Sequence, residues 1–301
     1  MPPAVIVHGG AWNMPTELLR AHRDGCREAV LRAWQVLRSG GSALDAVEVA
    51  IICLEDDPAF DAGTGSFLNV DGQVELDAGL MDGSTLAAGA VAAVHRVRNP
   101  ITLARRVLES EHVLIVGSGA ERFAEKAGVP LCDEADLVVE RERRQWESLR
   151  AGSLDPATVL FGKQALSTVG AVALDSRGNI AAGTSTGGSL NKWPGRVGDV
   201  PLVGSGFYAT EDGGASCTGW GEGIMRITMA KHALDLMSGG KPAPVAAGDA
   251  IQLLSDRLRG VGGIILMDRE GNVGHAHSTR HMAYAYLTGD MAERAADSPP
   301  D

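Results

Sequence analysis

Ser167 and Thr168 stand at the mouth of an unbroken apolar run, Val169 to Leu174, in the stretch "ALSTVGAVALD". A threonine hydroxyl presented by a rigid strand is a potential nucleophile, but it is weak at its own pKa and needs a base. The plainer alternative is a strand start whose hydroxyls satisfy loose backbone groups, and the stretch alone favours it. A second group lies in "NKWPGRVGDVP", where turns at Pro194-Gly195 and Gly198 hold Arg196 and Asp199 three positions apart. A guanidinium fork binds a carboxylate and a carboxylate binds an ammonium, so this pair would grip an α-amino acid by both ends. A local salt bridge between the two is an equal reading. A third group, "SCTGWGEGIM", puts Thr218 and Gly219 in a glycine-rich turn ahead of a helix. There a hydroxyl and free backbone N–H groups would suit a developing oxyanion, or the stretch is simply a strand-to-helix turn.

Other motifs carry less. Gly183-Thr-Ser-Thr-Gly187 fits G-x-S-x-G, but the nucleophile elbow needs a helix directly after it, and "SLNKWPGRVGDVP" with its prolines and glycines cannot supply one. Gly63-Thr-Gly65, Gly117-Ser-Gly119 and Gly204-Ser-Gly206 lack the third glycine of a dinucleotide fingerprint and read as turns. His275 and His277 share a strand face with His281 nearby, yet no acidic or cysteine cluster accompanies them, so ordinary polar histidines are expected rather than a metal site.

The elements that must position these residues follow from periodicity. "AVIVHGG" reads as a first strand ending in a glycine turn. A helix is expected within 16 to 38 and a buried one from 44 to 54, opened by a Ser42–Asp45 capping box. Short β-type runs separated by Asp-Gly turns follow Pro58. A helix over 100 to 109, a strand over 112 to 116 and a helix after Gly119 come next, then a solvated helix and a loose linker within 134 to 164. Strands are expected at 168 to 175, 179 to 184 and about 202 to 209, helices at about 222 to 237 and 246 to 259, then a closing hairpin and a frayed C-terminal tail.

The chain has 301 residues, 45% of them hydrophobic, enough for a large core in one domain or two. A net charge of -11, from 27 basic and 38 acidic residues, argues against nucleic-acid and anionic-membrane partners and leaves a small molecule or peptide as the expected ligand. No apolar run approaches the roughly 20 residues of a spanning helix. The N-terminus shows no signal-peptide pattern. Cys26, Cys53, Cys132 and Cys217 are scattered without a C-x-x-C pair, as free thiols in a reducing compartment would be, so the cytoplasm is expected.

In order along the chain, "HGGAW", "FDAGTGS", "ELDAGLMDG", "TVGAVALD", "TSTGG", "PGRVGD", "SCTGWGE" and "VGGIILMDREGNVG" resemble the isoaspartyl peptidase/L-asparaginase family, the plant-type asparaginases among the N-terminal nucleophile hydrolases. The resemblance implies an α+β fold, an αββα sandwich, made as a single-domain precursor that cuts itself between Ser167 and Thr168. The products would be residues 1–167, with a loose linker from about 151 to 167, and residues 168–301. Freed Thr168 would carry its own base, since an α-amine has a reference pKa of about 7.7 to 8.0. By the same resemblance Thr186 supports the nucleophile and Thr218 with Gly219 stabilises the oxyanion. Arg196 and Asp199, with Gly219 and Gly221, hold the substrate, which would be L-asparagine or an isoaspartyl dipeptide. No cofactor is implied for catalysis. A structural sodium on the main chain of Leu54, Glu55, Asp57, Phe60, Ala62 and Thr64 is implied, as is a homodimer of cleaved units.

Two positions depart from the family's pattern. Ser167 stands where Gly or Asp is usual, and Asp61 replaces Asn in F-N-A-G. An ionised Asp61 near Thr168 would favour the ammonium form of the amine, which leads to the expectation of an alkaline activity optimum. An unprocessed relative that binds aspartate-like ligands is the rival reading, and a glycosylasparaginase-like amidase is a third.

Overall fold

The computed structural model describes residues 1–152, 168–289 and 291. The strand β1 (Ala4–Trp12) is followed by α1 (Thr16–Arg38) and α2 (Ala43–Asp56). Helix α2 begins where expected: Ser42 Oγ accepts from Asp45 N–H at 3.1 Å and the Asp45 carboxylate accepts from Ser42 N–H at 3.3 Å. The hairpin β2 (Leu76–Asp82) and β3 (Ala88–Val94) is the ordered part of the expected meander. Then come α3 (Pro100–Leu108), β4 (Leu114–Val116), α4 (Gly117–Lys126), a 3-10 turn at Glu134–Leu137 and α5 (Glu140–Arg150). The second half holds β5 (Val169–Leu174), β6 (Ile180–Thr186), β7 (Phe207–Thr210), β8 (Gly213–Gly219), α6 (Gly221–Ile227), α7 (Met229–Ser238) and α8 (Ala243–Leu258). It closes with β9 (Gly262–Asp268), β10 (Val273–His277) and β11 (His281–Thr288).

Seven strands form one sheet in the order β11-β1-β5-β6-β2-β3-β4, and four form a second in the order β10-β9-β8-β7. Because side chains alternate along a strand, β1 sends Val5 and Val7 into the core under α1 and α2, and Ala4 and Ile6 into the core between the sheets. The second sheet buries Ala215, Cys217, Ile264 and Leu266 under α7 and α8. Helices therefore cover both outer faces of two stacked sheets, the expected αββα arrangement. Strand β5 is buried on both faces, which is why its sequence is apolar without alternation.

The structure corrects five expectations. The helix expected over 222 to 237 is two helices broken at Thr228, which adopts left-handed φ 46 and bonds its hydroxyl to the Ile227 carbonyl. "GGASCTG" is strand β8, although its composition is poor for a strand. Sandwiched between helices and a second sheet, it needs small residues more than β-branched ones. Only Phe207–Thr210 of the strand expected over 202 to 209 forms, and His281–Thr288 is a strand the reading missed. Helix α4 starts at Gly117 rather than after Gly119. The linker from 153, Ser167 and the tail from 292 lie outside the described residues.

Candidate active site

Strand alternation decides which side chains meet. On β5, Val169, Ala171 and Ala173 pack on the helix side and Val172 and Leu174 between the sheets, so Gly170 and Thr168 belong to the inter-sheet face. On β6, Ala181 is helix-side while Ile180 and Ala182 face the second sheet, which places Thr186 with them. On β8, Ala215 and Cys217 lie under the helices, leaving Ser216 and Thr218 to face β5. The register across the interface is tight. A Cβ on Gly214 would stand 2.6 Å from Val172 Cγ1, and one on Gly170 only 2.0 Å from Ser216 Oγ. Two residues further along each strand, the same step brings Thr218 to Thr168.

Thr168, 6% exposed, donates its hydroxyl toward Thr186 Oγ1 at 3.5 Å, and Thr186 Oγ1 accepts from Gly188 N–H at 2.9 Å. The Thr218 hydroxyl is buried and has no partner among the described residues. Next to it, Gly219 holds φ 132, a conformation open to glycine, and a Cβ there would stand 2.4 Å from Gly262 Cα. Thr218 and Gly219 thus end a strand rather than occupy a loose turn, so rigid backbone positions both groups.

Two residues of this site were not singled out in the sequence. His8 Nε2 lies 2.8 Å from Ser216 Oγ, and its ring is hydrogen-bonded to the Thr168 main chain; burial drives its pKa down to about 3, so it is neutral. A lone histidine at the end of the apolar run "AVIVHGG" was the available signal. Glu222 is the second. Its Oε1 accepts from Arg196 Nε at 2.9 Å and Nη2 at 2.8 Å. The ion pair made by Arg196 therefore goes to Glu222, which answers the local alternative of an Arg196–Asp199 bridge.

Arg196, Asp199 and Gly221 do converge. A Cβ on Gly221 would lie 2.9 Å from Asp199 Oδ1 and 3.0 Å from Arg196 Nη2, so the missing side chain lets α6 approach both. Buried Lys192 anchors the loop carrying them by donating to the Glu75 carbonyl at 2.8 Å, while Gly195 N–H donates to Glu75 Oε1 at 2.8 Å. Asp199 Oδ2 has no hydrogen-bond partner among the described residues, and burial pushes its pKa up to about 7. A buried acid with a free oxygen beside a guanidinium is an acceptor for a cationic group.

Asp61 lies on the other side of the Thr186–Gly188 turn. Its carbonyl accepts from Gly187 N–H at 3.0 Å and its Oδ1 from Phe67 N–H at 2.8 Å, while Oδ2 is buried and unpartnered. Burial pushes its carboxyl well above the usual range. Burial thus opposes the ionised Asp61 on which the expected alkaline optimum rests, and the pH profile of Asp61→Asn tests that expectation.

Among the described residues no three His, Cys, Asp or Glu side chains are placed to hold a metal ion, and His275 stacks instead on Tyr284 with ring centres 4.1 Å apart. No helix follows Gly187, as expected in rejecting the elbow. In the loop from Leu54 to Thr64, the carbonyls of Glu55 and Asp57 each accept one main-chain N–H and keep a second lone pair, and the buried Thr64 hydroxyl has no partner. Neutral oxygens of this kind fit a hard cation of low charge.

Comparison with known proteins adds a single consistent result. The profile of the asparaginase family Asparaginase_2 matches residues 1–296. The chain is 47% identical to the plant-type L-asparaginase of Pyrococcus furiosus, over 96% of this chain and 98% of that protein. It is 44% identical to the isoaspartyl peptidase/L-asparaginase of Xenopus laevis, over 97% and 94%, and 44% identical to that of Mus musculus, over 97% and 90%.

Proposed function

The chain belongs to the asparaginase family, and we propose that it is a self-activating hydrolase of L-asparagine and of the β-linked bond in isoaspartyl dipeptides. The observation that carries this reading is the meeting of Thr168, Thr186 and Thr218 at one rim of the sheet interface, beside Arg196 and Asp199.

The chain cuts itself between Ser167 and Thr168, giving 1–167 and 168–301. Strand β5 lies between β1 and β6, so strands of both fragments share one sheet and stay packed as a single domain. Arg196, gripped along one edge by Glu222, receives the substrate α-carboxylate with its remaining N–H groups, and Asp199 receives the α-ammonium. Gly221 and Gly219 leave room for that head. The freed Thr168 amine takes the proton of its own hydroxyl, and Oγ1 attacks the side-chain carbonyl carbon. Thr186 orients the hydroxyl. Negative charge developing on the carbonyl oxygen is met by the Thr218 hydroxyl and the Gly219 N–H. The nitrogen departs with the proton held by the amine, as ammonia or as the amine of a second residue, leaving a β-aspartyl ester on Thr168. Water, deprotonated by the same amine, hydrolyses that ester. No cofactor enters these steps.

Purified protein is expected to release aspartate from L-asparagine and from β-aspartyl-leucine, and Thr168→Ala to release none. Aspartate binding without turnover by an uncut chain would establish the binding-protein reading instead. Four free cysteines fit the cytoplasm. We carry over from the resemblance a homodimer of cleaved units, checked by light scattering. A sodium on the main chain of Leu54, Glu55, Asp57, Phe60, Ala62 and Thr64 would tie that loop, and raises Tm in sodium relative to choline salts.

A further inference from the structure

A cavity of about 360 Å³ adjoins the site and is bounded in part by Trp12, Leu18, Asp61, Phe67, Arg141 and Glu142. Its Asp61 wall touches the turn after Thr186, since a Cβ on Gly187 would lie 2.4 Å from Asp61 Oδ1. Its Trp12 wall ends β1, the strand paired with β5. The cavity thus lies at the same end of the sheet as Thr168 and reaches the turn after Thr186 through Asp61, while Arg196 and Asp199 follow that turn on the loop beyond it. Ammonia leaving from asparagine needs about the space of one water, roughly 30 Å³. A cavity more than ten times that size suits the amino acid that leaves from a dipeptide.

Three polar atoms on its walls are buried and have no partner among the described residues: Trp12 Nε1, Asp61 Oδ2 and Glu142 Oε2. Buried polar atoms left unmatched call for a ligand or water. Among the described lining residues Arg141 is the cation. It is fixed by donating Nε–H to Glu142 Oε1 and Nη2–H to the Pro58 carbonyl at 2.8 Å, which leaves other N–H groups of the fork without a hydrogen-bond acceptor among the described residues. The leaving residue of every free β-aspartyl dipeptide ends in a carboxylate, and asparagine has no counterpart to it.

Resting on the hydrolase reading above, we propose that Arg141 and the Trp12 indole N–H form the subsite for the leaving residue's carboxylate, making this cavity the element that accepts isoaspartyl dipeptides. Burial raises the carboxyls of Asp61 and Glu142 above their usual range, and Glu142 is paired with Arg141.

The test compares kcat/KM for β-aspartyl-leucine and for β-aspartyl-leucinamide, which lacks the carboxylate. The free acid is expected to be preferred about tenfold or more, the usual worth of a charge-assisted hydrogen bond. Arg141→Gln, at an exposed position, brings the ratio close to one, and Trp12→Phe lowers it less. A ratio near one in the unmodified protein, or a ratio that Arg141→Gln leaves unchanged, overturns the assignment while hydrolysis of asparagine still stands. Failure to hydrolyse any of the three compounds would strike the hydrolase reading itself.

Discussion

Asp175 and Asp199 are buried aspartates at opposite rims of the same sandwich, and their surroundings could hardly differ more. Asp175 follows the far end of β5 and is saturated. Its Oδ1 accepts from the N–H groups of Arg177 and Asn179, and its Oδ2 from Ala43 N–H, Asn179 Nδ2 and Arg177 Nη2. Burial pushes its pKa upward, but these donors outweigh burial and hold the carboxyl below its usual value. Asp199, at the Thr168 rim, keeps one oxygen without a partner and is raised to about 7. The first rim ties a turn to the start of α2; the second holds unsatisfied groups in place for something to arrive. Saturation separates an aspartate that serves the fold from one that serves a ligand.

The sharpest way to break this contrast is Asp199→Asn. Removing the proposed acceptor for the α-ammonium is expected to cut kcat/KM for L-asparagine about 100-fold or more. Stability should move the other way. An acid raised in the folded state binds its proton more tightly there, so its presence lowers stability as pH rises from about 4 to about 7. Asp199→Asn therefore raises Tm at pH 8, and a lowered Tm would show that Asp199 belongs with Asp175.

Asp175→Asn is the mirror experiment. It leaves buried donors without their acceptor and is expected to cost about 1–3 kcal/mol, read as a fall in the urea midpoint, while kcat of the folded enzyme is unchanged. Its depressed pKa sets the sign of the pH dependence. The contribution is present above the unfolded value near 3.9 and lost as pH falls through the lower folded value, so the variant's deficit shrinks in acid.

The smallest expected effect sits at Asp61. The proposed role of Asp199 requires it to be ionised, so kcat/KM of the unmodified enzyme is expected to fall as pH drops below about 7. An asparagine has nearly the shape and hydrogen-bonding pattern of a protonated aspartate, so Asp61→Asn is expected to leave that acidic limb where it is. A limb displaced by the variant would restore an ionised Asp61.

Most of the fold was legible because its signals were local. The capping box of α2, the Asp-Gly turn of the β2–β3 hairpin and the doubly apolar β5 each state their structure within a few residues. β8 and β11 were missed for the opposite reason. "GGASCTG" becomes a strand only because Gly170 and Gly214 allow the two sheets to close on each other, a condition set by residues more than forty positions apart. The site divides the same way. Thr168, Arg196 and Asp199 were visible as residue types on constrained segments, and Thr186 and Gly221 through resemblance. His8, Ser216 and Glu222 gain their meaning from partners distant in sequence, and the charge state of Asp61 from a burial that no motif encodes.

The account rests on Thr168 becoming an N-terminus, and intact mass with N-terminal sequencing of the freshly purified protein tests that directly. Two fragments are expected, the second beginning Thr-Val-Gly-Ala-Val-Ala, and Thr168→Ala should remain one chain. A stable uncut chain of the unmodified protein that nonetheless hydrolyses asparagine would contradict the account, because its base would then not exist.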